Sequence, residues 1–161
     1  MPAMLASKEG LKAACALFNV LDAKDRKAVI KSLPVSEMAV NKIAHLFLIH
    51  VANNLDDTQL TKKKIMHDLG LKIDDFIEDG NFQNVLISCL IPLQTEKKEN
   101  GIVVYKPNSY LTHDDLQSMS LFLEKTTSKK DRTVRGKELF RIVQTPLSMF
   151  FEEKLKYQLL D

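Results

Sequence analysis

A segment near residue 10 recurs near residue 45, and this internal repeat constrains the fold more than any other feature of the chain. The Leu-Asp pair at residues 21–22 returns at 55–56, an offset of 34, and Leu33 returns as Leu69, an offset of 36. Such periods are typical of stacked helical repeats, in which each unit is too small to bury its own apolar face. We therefore predict a repeat array whose functional surface is shared between units.

Apolar residues spaced by three and four predict that the repeated units are helical hairpins. Ser7, a residue type that caps helix N-termini, precedes the first helix, and Pro34 ends the second. The predicted helices span residues 8–21, 26–33, 36–53, 58–69 and 74–92. Two hairpins and the start of a third follow from this pattern.

The repeat is lost after residue 92. Residues 95–109 contain a charged run, Gly101 and Pro107, so we predict a polar loop with one strand fragment. The pattern of residues 134–160 predicts one or two closing helices around Pro146. The predicted fold is an all-α helical-repeat solenoid with a divergent C-terminal helical segment. Its parts are about three repeats in residues 1–93, a polar loop in 94–110 and the divergent segment in 111–161, packed on the array.

A winged-helix fold is the second interpretation. Residues 61–76 resemble a helix-turn-helix, and residues 91–105 would then form a two-stranded wing around the turn at 99–101. This interpretation leaves the repeat between residues 10 and 69 unexplained, so we favour the array.

Composition narrows the classes of function. The net charge of +2 and the pI of about 8.5 are only mildly basic, below the pI of roughly 9 of a dedicated nucleic-acid module. No apolar run reaches the roughly 20 residues that span a bilayer, so we expect no membrane partner. Cys15 and Cys89 lie in apolar helical patterns without a CxxC partner, and we interpret them as reduced core thiols.

Residues that carry catalytic or metal chemistry are sparse. The acidic cluster at residues 74–79 suits a helix start, where carboxylates interact favourably with the helix dipole. The chain has no glycine-rich phosphate loop, no nucleophile elbow and no metal-ligand spacing. We therefore expect no enzyme activity, no metal site, no cofactor and no small-molecule substrate.

Four segments, in order and with compatible spacing, resemble the Pumilio-repeat (PUF) proteins of the Penguin or Puf-A type, the nucleolar branch of that family. These segments are residues 22–31, residues 45–48 with 55–58, residues 79–92, and residues 128–131 with 135–139. The resemblance covers most of the chain. It implies a Pumilio- or armadillo-like α-solenoid with a Penguin/CPL-like C-terminal segment. Family members are much longer, so the chain is expected to be a fragment or a reduced member.

The resemblance also implies a function. It implies binding to RNA, and to DNA as well, with little sequence preference. It further implies roles in ribosome biogenesis and translation regulation, a location in the nucleus and nucleolus, and ribosome assembly proteins as partners.

Base-reading Pumilio repeats present two edge-contacting residues and one stacking residue per repeat. By the resemblance, the matching positions are Leu11, Lys12 and Cys15, then His45, Leu46 and Ile49, then Gln83, Asn84 and Ile87. Most lack the hydrogen-bonding groups or planar side chains that base recognition uses, so we expect no base-specific code. The residues predicted to contact phosphates are Lys8, Lys12, Lys42, His45, Gln83 and Asn84. Phosphate contacts supply affinity without sequence information.

Alternatives stay open for these residues. The lysines are equally well interpreted as solvated positions, and His45 and His50, in an apolar helix, as hydrogen-bonded core groups. Basic clusters at 62–64 and 132–141 have the same two interpretations. The rival function is a protein-interaction scaffold in a pre-ribosomal or other assembly, with no direct nucleic-acid contact.

Overall fold

Helices make up most of the described chain. The computed structural model describes residues 2–55, 57–91, 93–99, 101–119, 122–123 and 132–160. The helices are α1 (Lys8–Val20), α2 (Ala23–Ser32), α3 (Val35–Ala39), α4 (Ala44–Asn54), α5 (Thr58–Leu60), α6 (His67–Leu71), α7 (Ile73–Phe76), α8 (Gly80–Leu90), α9 (His113–Ser118) and α10 (Arg132–Leu160). A 3-10 helix, Pro2–Ala6, precedes α1, and a π-helix, Thr61–Met66, joins α5 to α6. The strands are β1 (Thr95–Lys97), β2 (Ile102–Tyr105) and β3 (Phe122–Leu123).

The sequence repeat appears in the structure as a row of three helices. Helices α1, α4 and α8 begin at Lys8, Ala44 and Gly80, 36 residues apart in each case. Helix α4 contacts α1 on one side and α8 on the other. Helix α2 follows the first member of the row, and α5–α6 follow the second. The predicted all-α helical-repeat solenoid is confirmed.

An aspartate starts the second helix of each unit, within the Leu-Asp pair in the first unit and directly after it in the second. The Asp22 carboxylate accepts a hydrogen bond from the Asp25 backbone N–H at 2.8 Å and caps α2. In the next unit Asp57 accepts from the Leu60 N–H at 2.9 Å and caps α5. Aspartate satisfies N–H groups that have no partner within the helix, and such a cap stabilises by about 1 kcal/mol. The repeat in the sequence is therefore a repeat of helix starts.

Two predicted helices are each divided in the structure. The helix predicted at 36–53 is α3 and α4, separated by residues 40–43, and the helix predicted at 74–92 is α7 and α8. Asn41 Oδ1 accepts from the N–H groups of Ile43 at 3.0 Å and Ala44 at 2.9 Å, which starts a new helix. The Asp79 carboxylate caps α8 in the same way, through the Phe82 N–H.

The segment predicted as a polar loop, 94–110, instead contains two strands of a small sheet. Strand β1 pairs antiparallel with β2, and β2 pairs with β3. The chain turns at Gly101, whose φ of +80° favours glycine. Alternate β2 residues, Val103 and Tyr105, are buried, and Tyr105 belongs to the same core as the helices. The hairpin of the winged-helix interpretation thus exists, but it packs on a helical array.

A single closing helix, α10, covers the end of the array. It contains Pro146 and packs on α6, α7, α8 and the π-helix. The Arg135 guanidinium donates to the Ala52 carbonyl at 3.3 Å and to Thr61 Oγ1 at 3.0 Å, which caps the C-terminal turn of α4. No helix in the described parts of the chain is long and apolar enough to cross a bilayer.

One continuous core joins these layers. Phe18 of α1, Phe47 of α4 and Phe82 of α8 are fully buried, and the rings of Phe18 and Phe47 meet edge to face at 6.0 Å. Cys15 and Cys89 are free, buried thiols, as the sequence predicts. Burial raises the pKa of Cys89 to about 12, so this thiol is unreactive at neutral pH.

We predict that Gly136→Ala destabilises the fold. A Cβ at this position of α10 would lie 2.4 Å from the Leu90 carbonyl oxygen at the end of α8. The backbone clash should lower the free energy of unfolding by about 1 to 3 kcal/mol, more than alanine gains from helix propensity.

Urea denaturation measures this effect, and Gly80→Ala is its control. A Cβ at Gly80 meets no atom within 4 Å. The Gly80 variant should unfold close to the wild-type midpoint. A Gly136 variant as stable as the wild type would contradict the close packing of α10 on α8.

Candidate nucleic-acid interface

The structure distributes the predicted phosphate-contacting residues over three neighbouring helices and one turn. Lys8 and Lys12 lie one turn apart on α1 and are exposed. Lys42 is exposed in the turn before α4, which carries His45. Gln83 and Asn84 lie on α8. The row of helices brings the predicted residues close to one another, but their side chains differ in exposure and in charge.

Lys8 has an acidic partner from a distant part of the chain. Its ammonium group donates a hydrogen bond to the Asp114 carboxylate at the start of α9. The same hydrogen bond raises the pKa of Lys8 and lowers that of Asp114. Both groups are exposed, so the pair contributes little to stability. Its importance is local, because a phosphate at Lys8 would have to displace a carboxylate.

Helix α9 presents two carboxylates to the predicted surface. Thr112 and Asp115 form a capping box that fixes the start of the helix. Asp114 interacts first with Lys8 and more weakly with the charge of Lys12. Lys12 and Lys42 form no ion pair with any described residue. Of the three predicted lysines, these two carry unpaired charge.

His45 is a packed side chain. The residue is 4% exposed, and its Nδ1 donates to the Asn41 carbonyl at 2.8 Å. Burial lowers the pKa of His45, partly offset by this hydrogen bond, so the ring is neutral at pH 7. His45 therefore matches the core interpretation and presents no cation to a phosphate. The sequence left both interpretations of His45 open, because burial depends on the helices on either side of α4.

The two polar residues of α8 remain closer to solvent. Gln83 is exposed, and its side-chain amide donates to the Ile77 carbonyl at 2.7 Å. Asn84 is half-buried. Both side chains retain acceptor groups, but neither carries charge.

Most positions that would read bases are inaccessible. Leu11, Cys15, Leu46 and Ile49 are all at most 2% exposed, and Ile87 is 36% exposed. With His45, five of the nine positions matched to the base-reading code are buried. A base edge has no access to these side chains in this packing.

A buried polar network holds the β-hairpin on the helical row. His50 Nε2 donates to Asn19 Oδ1 at 3.0 Å, and His50 Nδ1 accepts from the Tyr105 hydroxyl at 3.1 Å. Asn54 also donates to the Tyr105 oxygen, at 2.7 Å. Burial lowers the pKa of His50 to about 3. The network joins α1, α4 and β2, and His50 is the member that the sequence analysis singled out.

In the other basic clusters, some side chains form contacts within the protein and others are exposed to solvent. Lys64 pairs with Asp68 at 3.0 Å, whereas Lys62 and Lys63 are exposed. Arg135 caps α4, and Lys137 and Arg141 are exposed on α10. Residues 128–131, part of the family resemblance, lie outside the described residues, as does the side chain of Arg132.

The acidic cluster serves helix starts and ion pairs. Asp79 caps α8, Asp75 pairs with Lys72 at 3.6 Å, and Glu78 contacts Lys154 of α10. The described residues contain no group of three metal-binding side chains.

We predict that His50 makes stability depend on pH. The unfolded chain protonates this ring below about pH 6.5, whereas the folded chain keeps it neutral until about pH 3. The free energy of unfolding should therefore be highest above pH 6.5 and fall toward pH 3, by up to about 1.4 kcal/mol per unit.

Urea denaturation of the wild type and His50→Gln at about pH 7, 6 and 5 tests the slope. His50→Gln should be less stable at pH 7 because Tyr105 and Asn19 lose a partner, yet it should lose less stability on acidification. His67→Gln, at an exposed position, is the control. Equal pH dependence in the wild type and the His50 variant would refute the assignment.

Comparisons with known proteins agree with the repeat. The chain is 26% identical over 161 residues to Protein penguin of Drosophila melanogaster. The alignment covers 99% of this chain and 20% of that protein. It is 26% identical over 145 residues to Pumilio homolog 24 of Arabidopsis thaliana, covering 84% of this chain and 21% of the relative. It is 26% identical over 141 residues to Pumilio homolog 3 of Homo sapiens, covering 86% of this chain and 20% of the relative.

No family model matches the chain, and no solved structure matches it significantly. The chain spans about a fifth of the length of the curated relatives it matches. The order of the helices and their 36-residue spacing agree with these similarities, which extend over most of the chain. The chain is similar over most of its length to Pumilio-family proteins, including the Penguin type.

Proposed function

We propose that the chain is an RNA-binding helical-repeat module that contacts the nucleic-acid backbone and has no base-specific code. The observation that carries this proposal is the burial of the matched code positions, including Leu11, Cys15, Leu46 and Ile49. Base recognition needs side chains that reach base edges or stack on base planes. With those positions packed in the core, exposed cations are the remaining source of affinity.

Lys12 and Lys42 are the proposed phosphate contacts that are free of ion pairs in the described chain. Lys8 joins them when a phosphate displaces Asp114. Gln83 and Asn84 contribute polar contacts. His45 is left out of the proposed interface, because its ring is buried and neutral.

The proposed biological role is the one that the family resemblance implies. We propose that the chain binds RNA, and DNA as well, without sequence preference, and acts in ribosome biogenesis or translation regulation in the nucleolus. Ribosome assembly proteins are the proposed further partners. These roles are proposals because the relatives are about five times as long as the aligned chain.

A protein-interaction scaffold is the second candidate function. Helix α10 supports it, because Phe140, Met149, Phe151 and Leu155 are large apolar side chains exposed to solvent. Exposed apolar surface of this kind is used in protein contacts. Nucleic acid would then be untouched.

Fluorescence anisotropy with unrelated single- and double-stranded RNA and DNA separates the two functions. We expect similar affinity for unrelated sequences, and roughly 20-fold weaker binding to single strands on going from about 50 to 200 mM salt if three lysines contact phosphates. A triple variant should bind nucleic acid more weakly, and its affinity should depend less on salt; it combines Lys8→Ala, Lys12→Ala and Lys42→Ala. Absence of binding at low salt would exclude the nucleic-acid proposal for this chain.

Asp114→Asn should strengthen nucleic-acid binding about threefold or more, because it releases Lys8 and removes a carboxylate that repels phosphate. Asp74→Asn makes the same change in net charge at an exposed position of α7 and is the matched control. Equal strengthening in both variants would show that only overall charge matters, contrary to a contact at Lys8.

A further inference from the structure

Helix α2 presents a second cationic surface, which neither the repeat code nor the predicted stripe includes. Lys24, Lys27 and Lys31 follow each other at spacings of three and four, so they share one face of the helix. All three are exposed. Ala28 lies between them, and its small side chain leaves the centre of the face open. We call these three residues the α2 lysine face.

The α2 lysine face is free of the competition that affects Lys8. None of its three lysines forms an ion pair with another described residue. Asp25 is the acidic residue within α2, about 100° of helix rotation from Lys24. Asp22 turns its carboxylate to the Asp25 N–H at the helix start. The face spans about 10 Å, enough to follow consecutive phosphates of a single strand.

A pocket opens at the C-terminal end of α2. It has a volume of about 290 Å3 and lies between α2, α3, the start of α4 and the N-terminal 3-10 helix. Buried Leu5, Leu33, Met38 and Ala44 supply its apolar surface. Its size is near the lower limit of small-ligand sites, roughly 300 Å3.

The rim of the pocket is polar. Ser32, next to Lys31, donates its hydroxyl hydrogen to the Val29 carbonyl at 2.7 Å, so its oxygen is left as an acceptor. Asn41, next to Lys42, uses Oδ1 on the Ile43 and Ala44 N–H groups, which leaves its amide hydrogens as donors. Glu37 is exposed, without an ion pair among the described residues. Acceptors and a donor thus surround an apolar cavity.

We infer that the α2 lysine face and this pocket form a binding site for single-stranded nucleic acid, with phosphates along the lysines and one unstacked base in the pocket. The inference rests on the proposed function and assigns a surface to it. An apolar cavity of this size suits a base face, and the rim suits base edges. Glu37 accepts from exocyclic amino groups, so adenine, cytosine and guanine should enter more readily than uracil. Three of the four bases thus fit, so strands of mixed sequence should still bind with similar affinity. A duplex, whose bases are paired and stacked, has no free base to insert.

The first experiment compares two triple variants of equal charge by fluorescence anisotropy with single-stranded RNA. Lys24→Ala, Lys27→Ala and Lys31→Ala remove the face. The control combines Lys72→Ala, Lys106→Ala and Lys156→Ala, three exposed positions outside the predicted basic clusters. We expect the first set to weaken binding tenfold or more and to reduce the salt slope by about 2, at 0.7 per single-strand contact. The control should change affinity less than threefold.

The second experiment tests the pocket. Ala6→Phe adds bulk at an exposed rim position, and Glu37→Gln removes the carboxylate. Ala6→Phe should weaken binding to an adenine-containing single strand while leaving duplex binding unchanged, and Glu37→Gln should reduce the preference for adenine over uracil. A 2-aminopurine in the strand should brighten on binding to the wild type, because the base unstacks, and less so with Ala6→Phe. Equal fluorescence in both proteins would overturn base insertion.

The outcomes separate this inference from the function on which it rests. Equal weakening by both triple variants overturns the α2 lysine face. Binding that survives its loss but disappears in the Lys8, Lys12 and Lys42 triple variant keeps the proposed function and overturns this surface. A wild-type chain that binds no RNA at low salt overturns both.

Discussion

The burial of α4 on every side is the constraint on which the rest of the structure depends. All residues from Ala44 to Ala52 are buried, because α1, α8, α3 and the N-terminal 3-10 helix pack around them. A buried polar group without a partner costs about 1 to 3 kcal/mol. The polar side chains of this helix therefore need partners, and His50 finds them in Asn19 and Tyr105. Asn53 adds another link, since its Oδ1 accepts from the Leu93 N–H at 2.8 Å.

The same burial shapes the proposed function. A row of helices that packs this tightly has no side chains left to read bases at the middle unit, where His45, Leu46 and Ile49 are enclosed. The segment after α8 further reduces the number of lysines that are available to a phosphate, because Asp114 forms an ion pair with Lys8. Among the described residues, lysines without an ion pair are found instead at Lys12 and Lys42 and along α2. Backbone binding is what such a surface supports.

Local features of the fold could be predicted from the sequence, and long-range contacts could not. Ser7 starts α1 as predicted, through its side chain and the Gly10 N–H three residues away. The sequence also predicted the breaks at Asp22 and Asp57, whose side chains start the next helices in the same way. The divided helix at 40–43 was missed because Asn41 interrupts a pattern whose apolar spacing continues across it. Lys8 and Asp114 are 106 residues apart, and His50 and Tyr105 are 55 apart. Periodicity carries no information about such pairs.

The measurement that tests the account most directly is a two-dimensional amide NMR titration of the whole chain with single-stranded RNA at low salt. The account predicts shifts in α2 and in the turn that contains Lys42, and unchanged amides in the buried centre of α4. Shifts concentrated on the buried code positions of α4, His45, Leu46 and Ile49, would contradict it. So would a spectrum that does not change at all.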